Sequence, residues 1–192
     1  VLLIDSPGGE VIASREIYES ARDSKKPVVA YLRNIATSGG YYAAVGSDYI
    51  ISEPETVTGS IGVRATFISF EGMFGNLGIN YTTIKSGDKK DMGDIGSNLS
   101  DEEVALLREF IDDIFQGFRS DVVSARAGRP RFSEEKFNEV LDGRFISGRK
   151  AYSIGLVDGL GNSDAAYEKA AELAGIEEYE KCTSRGSGGI LR

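Results

Sequence analysis

Three short apolar runs, the first two each followed by a turn and a helix-like segment, occupy the first 51 residues, and this alternation limits the fold more than anything else in the chain. Val1-Leu2-Leu3-Ile4 is apolar throughout, as a strand buried on both faces must be. Asp5-Ser6-Pro7-Gly8-Gly9 breaks it, because Pro7 lacks a donor and the two glycines free the backbone. Glu10 to Ser24 then carries Val11, Ile12, Tyr18 and Ala21 at roughly helical spacing, and Lys25-Lys26-Pro27 ends that run. Val28 to Leu32 reads as the second strand, Ile35 to Ala44 as a turn opening into an alanine-rich helix, and Asp48 to Ile51 as the third strand. Strand, helix, strand, helix, strand in so short a space predicts βαβ units and a mainly parallel sheet, the α/β class. Sites in such sheets lie at the carboxyl ends of the strands. Both Gly-rich turns fall there, so the fold rules place them on one rim.

The remainder is less regular. Thr58-Gly59-Ser60-Ile61-Gly62-Val63 reads as a second flexible, hydroxyl-bearing turn. Thr66 to Phe70 and Ile79 to Ile84 have β composition, with a short helix from Glu71 to Leu77 between them that Gly78 ends. Lys85 to about Asn98 is polar and reads as a loop. Ser100-Asp101-Glu102-Glu103 is a capping box, and the apolar positions Val104, Leu107, Phe110, Ile111, Ile114, Phe115, Phe118 and Val122 predict one long helix, Asp101 to Ala127. Its aromatic stripe is core or subunit interface. Helices are expected over Ser133 to Leu141, Ser147 to Ile154 and Ser163 to Ala174, with a short strand at Phe145-Ile146 and a turn at Leu156 to Gly161. These make a C-terminal helical region. The organisation expected is one domain over 1–180 and a Gly/Ser-rich flexible tail over 181–192. Because the chain opens inside a buried strand, structure upstream of Val1 is expected.

Composition excludes several functions. The net charge of −8 argues against a nucleic-acid partner, because phosphate binding needs a basic face. A lone cysteine, Cys182, rules out an internal disulfide, and no run of about twenty apolar residues is present to span a membrane. The most useful count is that of histidine, which is zero. Every Ser-His-Asp or Cys-His arrangement within the chain is therefore excluded, as is any His-based metal site. The reading calls for no cofactor and no metal.

Ser38 stands at a strand-to-helix turn and is followed by Gly39 and Gly40. A helix start offers free N–H groups, and glycines let a substrate approach the backbone. The plain alternative is an N-cap serine on a buried helix. If Ser38 is a nucleophile, its base cannot be imidazole, and lysine is the known substitute. Lys85, Lys89 and Lys90 share one polar loop, and the residues alone leave the choice among them open; a solvated loop is the default for such a run.

Taken together, several motifs resemble the ordered motifs of the bacterial and archaeal signal peptide peptidase SppA family. They are Asp5 to Glu10, Ala36 to Ala44, Thr58 to Val63, Lys85-Ser86-Gly87-Asp88-Lys89-Lys90-Asp91, Asp142-Gly143-Arg144 and Gly155 to Gly161. The resemblance runs from Val1 to about Ala174, and its first turns are shared with the wider Clp-protease and crotonase fold. It implies a Clp-protease/crotonase-like domain and a serine endopeptidase with a Ser-Lys dyad. Ser38 would be the nucleophile and Lys90, directly before Asp91, the general base. Ser60 would orient the lysine amine, and Gly9 and Gly39 would supply the two oxyanion N–H donors. The family further implies peptide substrates, namely signal-peptide remnants and other extended apolar peptides. It also implies a homo-oligomeric ring whose sites are shared between neighbouring subunits. Finally, it implies a membrane anchor upstream of Val1 that holds the catalytic domain outside the cytoplasm, this chain itself being soluble. Two other readings compete: a crotonase-like acyl-CoA-binding enzyme, which would call on Glu or Asp rather than the lysine loop, and a non-catalytic ring-forming scaffold.

Overall fold

The computed structural model describes residues 1–182. Expectations for the tail beyond Cys182 lie outside the described residues. The chain divides into two compact units, one formed by 1–61 together with the residues from Val122 onward, the other by 62–121.

The first unit is built on a six-stranded sheet. β1 (Leu2–Ser6), β2 (Val29–Thr37), β3 (Tyr49–Ser52), β4 (Val57–Gly59), β5 (Phe145–Ser147) and β6 (Gly159–Leu160) form it. Every pairing is parallel except β4 with β5. The mainly parallel sheet expected from the βαβ rhythm is present.

β2 is the axis of the sheet. One edge pairs with β1; the other pairs with β3 at Val29 to Leu32 and with β4 at Ile35 to Thr37. The sheet therefore forks at Arg33-Asn34. The fork is held by polar groups. The Asp5 carboxylate accepts the Asn34 side-chain N–H at 2.8 Å and the Ile35 main-chain N–H at 3.3 Å, beside the register shift in β1. Thr56 Oγ1 donates to the carbonyls of Leu32 and Arg33. This is why the strand runs through two exposed polar residues and ends at Thr37 rather than at Leu32.

Helices cover both faces. α1 (Val11–Arg22) packs on α2 (Gly39–Val45), with the rings of Tyr18 and Tyr42 5.5 Å apart and Gly46 so close to Tyr18 that a Cβ there would fall 2.2 Å from its carbonyl oxygen. α7 (Ser163–Ala174) sets Ala166 against Val29, Tyr31 and Ile51, all buried. Side chains alternate across a strand, so Ala30 and Leu32 face the other way, and they too are buried. Burying a side chain such as Leu32 stabilises by about 1.5–3 kcal/mol. α5 (Glu134–Asn138) and α6 (Gly148–Ser153) begin on serine caps, Ser133 and Ser147 accepting main-chain N–H groups of Lys136 and Lys150.

In the second unit, α3 (Glu71–Leu77) ends on Gly78 in the left-handed conformation, as the glycine predicts. α4 (Asp101–Arg126), whose residues from Val122 onward belong to the first unit, opens on the predicted capping box: Glu103 N–H donates to Ser100 Oγ, and Ser100 N–H donates to the Glu103 carboxylate. Two expectations fail here. Thr66 to Phe70 and Ile79 to Ile84 form no strand, and their side chains are exposed. β composition alone does not make a strand; a ladder partner is needed, and within the described residues neither segment has one. In the first unit Thr58-Gly59 and Gly159-Leu160, read as parts of turns, lie in strands, because β2 and β3 supply the ladder. Among the described residues no helix is long and apolar enough to cross a membrane.

Candidate active site

Three turns meet at the carboxyl end of β2. The first follows β1. Ser6 Oγ accepts the Gly8 N–H at 3.1 Å, and Thr37 Oγ1 donates to the Pro7 carbonyl at 3.0 Å, which ties this turn to the last residue of β2. Gly8 has φ +109, a region closed to L side chains without strain. A Cβ on it would also lie 2.9 Å from both Gly39 N and Ser38 Cβ. Glycine is required twice over.

The second turn carries Ser38. Its backbone has φ 52 and ψ −121, an unusual conformation for a residue with a side chain, costing on the order of 1–3 kcal/mol. The serine occupies the N-cap position of α2, yet its side chain makes no capping bond. A serine kept only as a cap would be extended and would spend its oxygen on the first helical N–H groups. Ser38 does neither and is half-buried.

The third turn follows β4. Thr37 pairs with Gly59 in parallel register, so Ser38 and Ser60 leave their strands side by side. Ser38 N–H donates to Gly59 O at 2.9 Å, and Ser60 N–H donates to Arg144 O at 2.8 Å. Ser60 has φ 49, a second non-glycine residue on the left-handed side.

Gly39 closes the arrangement. A Cβ on it would fall 2.3 Å from Ser14 Oγ and 3.1 Å from Gly9 N. The glycine thus lets α2 approach both α1 and the Gly8-Gly9 turn. Gly9, Ser38, Gly39 and Ser60 are therefore neighbours in the first unit. Among the described residues no hydrogen bond uses the N–H of Gly9 or of Gly39. Ser14, whose hydroxyl donates to Glu10 O at 2.8 Å, is an element the sequence reading missed; a buried serine inside an amphipathic helix was its only signal.

Lys90 belongs to the second unit, with Lys85 and Lys89, and the three differ in their partners. Lys85 Nζ pairs with the Asp91 carboxylate at 2.6 Å and donates to Asp88 O. Lys89 Nζ pairs with Glu102 at 2.8 Å, and that hydrogen bond holds its pKa above the ordinary lysine value. The Lys90 side chain is exposed and has no hydrogen bond or ion pair among the described residues.

The profile of peptidase family S49 matches residues 20–177. The chain is 40% identical over 176 residues to a candidate protease of Synechocystis sp., covering 91% of this chain and 62% of that protein. It is 36% identical over 182 residues to a candidate protease of Methanocaldococcus jannaschii, covering 94% and 57%. Over 192 residues it is 35% identical to a candidate signal peptide peptidase SppA of Enterococcus faecium, covering 96% and 55%. The chain spans a little over half the length of these relatives.

Proposed function

The chain belongs to peptidase family S49 and has its Clp-protease/crotonase-like fold, and on that premise we propose that it is a serine endopeptidase working through a Ser38–Lys90 dyad. One observation carries the reading. In a chain without histidine, a serine stands strained at the head of α2, does not cap it, and lies beside two glycines whose N–H groups no hydrogen bond among the described residues uses. Backbone strain persists where the surroundings enforce it, and it gathers at working sites.

The chemistry follows from these groups. Ser38 Oγ attacks the carbonyl carbon of the scissile bond, and a neutral Lys90 amine takes its proton. The carbonyl oxygen becomes an oxyanion and is met by the N–H groups of Gly9 and Gly39, each worth about 3–4 kcal/mol of barrier. The Lys90 ammonium returns the proton to the leaving amine. Water then opens the acyl-serine by the same route, Lys90 again serving as base. Ser60, beside Ser38, accepts from the lysine amine and sets its direction.

The choice of lysine is supported by the partners of the other two. A base must be neutral when it acts, and a carboxylate partner favours the ammonium form. Lys85 and Lys89 each have one. Among the described residues Lys90 has none, but it is exposed within the single chain, whereas burial is what favours a neutral amine. The reading therefore requires a neighbouring copy of the chain to cover it, in a homo-oligomeric ring whose sites take Ser38 and Lys90 from adjacent subunits. Extended apolar peptides, signal-peptide remnants among them, are the substrates; such peptides add as strands at the sheet edges beside Gly9 and Ile61. The full-length protein is held at a membrane by an anchor outside this chain, with this domain outside the cytoplasm.

Fluorophosphonate labelling of the full-length protein tests the dyad. Wild type is expected to label at Ser38, and Ser38→Ala and Lys90→Ala to lose the label. Two variants that label like wild type overturn the assignment.

A further inference from the structure

Behind α2 lies a buried polar cluster that the proposed chemistry does not use. Tyr41, wholly buried and two residues beyond Gly39, donates its hydroxyl to the Leu156 carbonyl at 2.7 Å. The segment carrying that carbonyl is itself clamped. Arg126 Nε donates to Gly155 O at 2.9 Å, and its two terminal nitrogens reach the Asp158 carboxylate at 3.0 and 2.6 Å. The Arg126 and Asp158 side chains are 1% and 5% exposed. Asp158 is then fixed to the sheet: its N–H donates to Ile50 O, and its carboxylate accepts Ile50 N–H, both at 2.8 Å. Burial pushes the Tyr41 phenol far above its ordinary pKa, so it stays a donor at any working pH.

The other side of α2 is fixed as well. Gly39 lies against Ser14 Oγ on α1, and the first helical turn closes through Tyr42 N–H to Ser38 O at 2.9 Å. A shift of α2 along its axis would have to break the Tyr41 bond or drive Gly39 into Ser14. Two serviceable donors must lie about 2.7–3.1 Å from the oxyanion, and about 1 Å of misplacement costs on the order of a hundredfold in rate.

We propose that Tyr41 is a positioning residue for the hydrolysis assigned above: its bond to the clamped Leu156 carbonyl sets where α2 begins, and hence where Gly39 N–H stands relative to Ser38 Oγ and Gly9 N–H. This inference rests on the dyad reading. Tyr41 touches no substrate. It acts through the seven-residue helix it belongs to.

The test compares a tripeptide aldehyde with the matching alcohol as competitors of fluorophosphonate labelling in the full-length protein. The aldehyde adds to Ser38 and places an oxyanion between the two N–H groups; the alcohol cannot. In Tyr41→Phe the advantage of aldehyde over alcohol is expected to fall about tenfold, with the alcohol binding unchanged. Tyr31→Phe is the control, because it removes the hydroxyl bond of another buried tyrosine, on β2 rather than on α2, to Glu53 at 2.7 Å. It should lower the melting temperature and leave the advantage intact. Replacing Tyr41 by p-aminophenylalanine, which keeps a donor at the para position, should restore much of it. If Tyr41→Phe does not fold, Arg126→Lys, which withdraws the donor from Gly155 O, is expected to show the same loss. A full aldehyde advantage in the folded variant overturns the inference. A wild-type protein that shows no aldehyde advantage at all overturns the dyad reading instead.

Discussion

The main-chain N–H of Ser38 donates to the carbonyl oxygen of Gly59 at 2.9 Å, one residue beyond the last paired positions of β2 and β4. The turn that bears the proposed nucleophile is thus hung on the turn that bears Ser60. Gly59 has φ +78, and a Cβ there would lie 3.0 Å from Ile146 Cγ1 and 3.1 Å from Arg144 O. Both neighbours belong to the β5 side, which also receives Ser60 N–H through Arg144 O.

Gly59→Ala is accordingly expected to cost about 1–3 kcal/mol, from the left-handed backbone and the crowding together. At about 2–4 °C per kcal/mol for a domain of this size, the melting temperature should drop by several degrees. Probe labelling at Ser38 should slow as well, because the acceptor of its N–H moves. Thermal unfolding and labelling rate check the two arms, and an unchanged melting temperature would show that the crowding is relieved without effect.

What the residues revealed by themselves depended on whether the cause was local. The capping box at Ser100 and Glu103, the stop at Gly78 and the turns that bear Gly8 and Ser38 are short-range devices, and each forms as its sequence predicts. The length of β2 was not legible, because Arg33 and Asn34 are polar and exposed. They stay in the strand through the Asp5 carboxylate and Thr56 hydroxyl, which are far away in the chain. Thr66 to Phe70 and Ile79 to Ile84 misled for the converse reason: their side chains suit a sheet, but no ladder among the described residues reaches them. At the site, Ser38 and its glycines could be read from one turn. Tyr41 could not, since in an apolar, alanine-rich helix it looks like filler, and only the position of Leu156 gives its hydroxyl a purpose.

The lysine loop gives a three-way comparison. Removing a general base lowers the rate by on the order of 10²- to 10⁴-fold, whereas an exposed ion pair contributes about 0–1 kcal/mol to stability. Lys90→Met is expected to slow acylation of Ser38 by a phosphonate at least a hundredfold. Lys89→Met, which frees Glu102, should stay within about threefold of wild type. Lys85→Met releases the Asp91 carboxylate next to Lys90 and should fall between them. Second-order labelling rates of the three variants check the order, and a larger loss for Lys89→Met than for Lys90→Met contradicts the assignment.

Alkaline pH offers a test of the core that does not involve the site. Burial, and then the hydrogen bond to Glu53, push the Tyr31 phenol up to about 12 from an ordinary 10. A raised acid holds its proton more tightly folded than unfolded, so its contribution is fully present below about pH 10 and is lost as the pH rises toward about 12. The absorbance titration of the nine tyrosines should therefore show a late fraction that includes Tyr31 and Tyr41. The urea midpoint should hold to about pH 10 and fall beyond it. Tyr31→Phe should shrink the late fraction and flatten that fall; if it leaves both unchanged, the phenol is not held as described.

Sites shared between subunits predict complementation. Ser38→Ala keeps a lysine but no nucleophile, and Lys90→Ala keeps a nucleophile but no base. If each site were formed within one chain, mixed particles of the two would contain no working site. If Ser38 meets Lys90 of the adjacent copy, a site works wherever a Lys90→Ala chain receives the lysine of a Ser38→Ala neighbour. With equal, random mixing around a ring that is about a quarter of all sites. Co-expression of the two full-length variants, followed by phosphonate labelling, should therefore recover about a quarter of the wild-type label, confined to the Lys90→Ala chains. The same two proteins purified apart and kept from exchanging subunits should recover none. Label at background level in co-expressed particles of wild-type size would place both groups in one chain, and the cover that Lys90 needs would then have to come from its own chain.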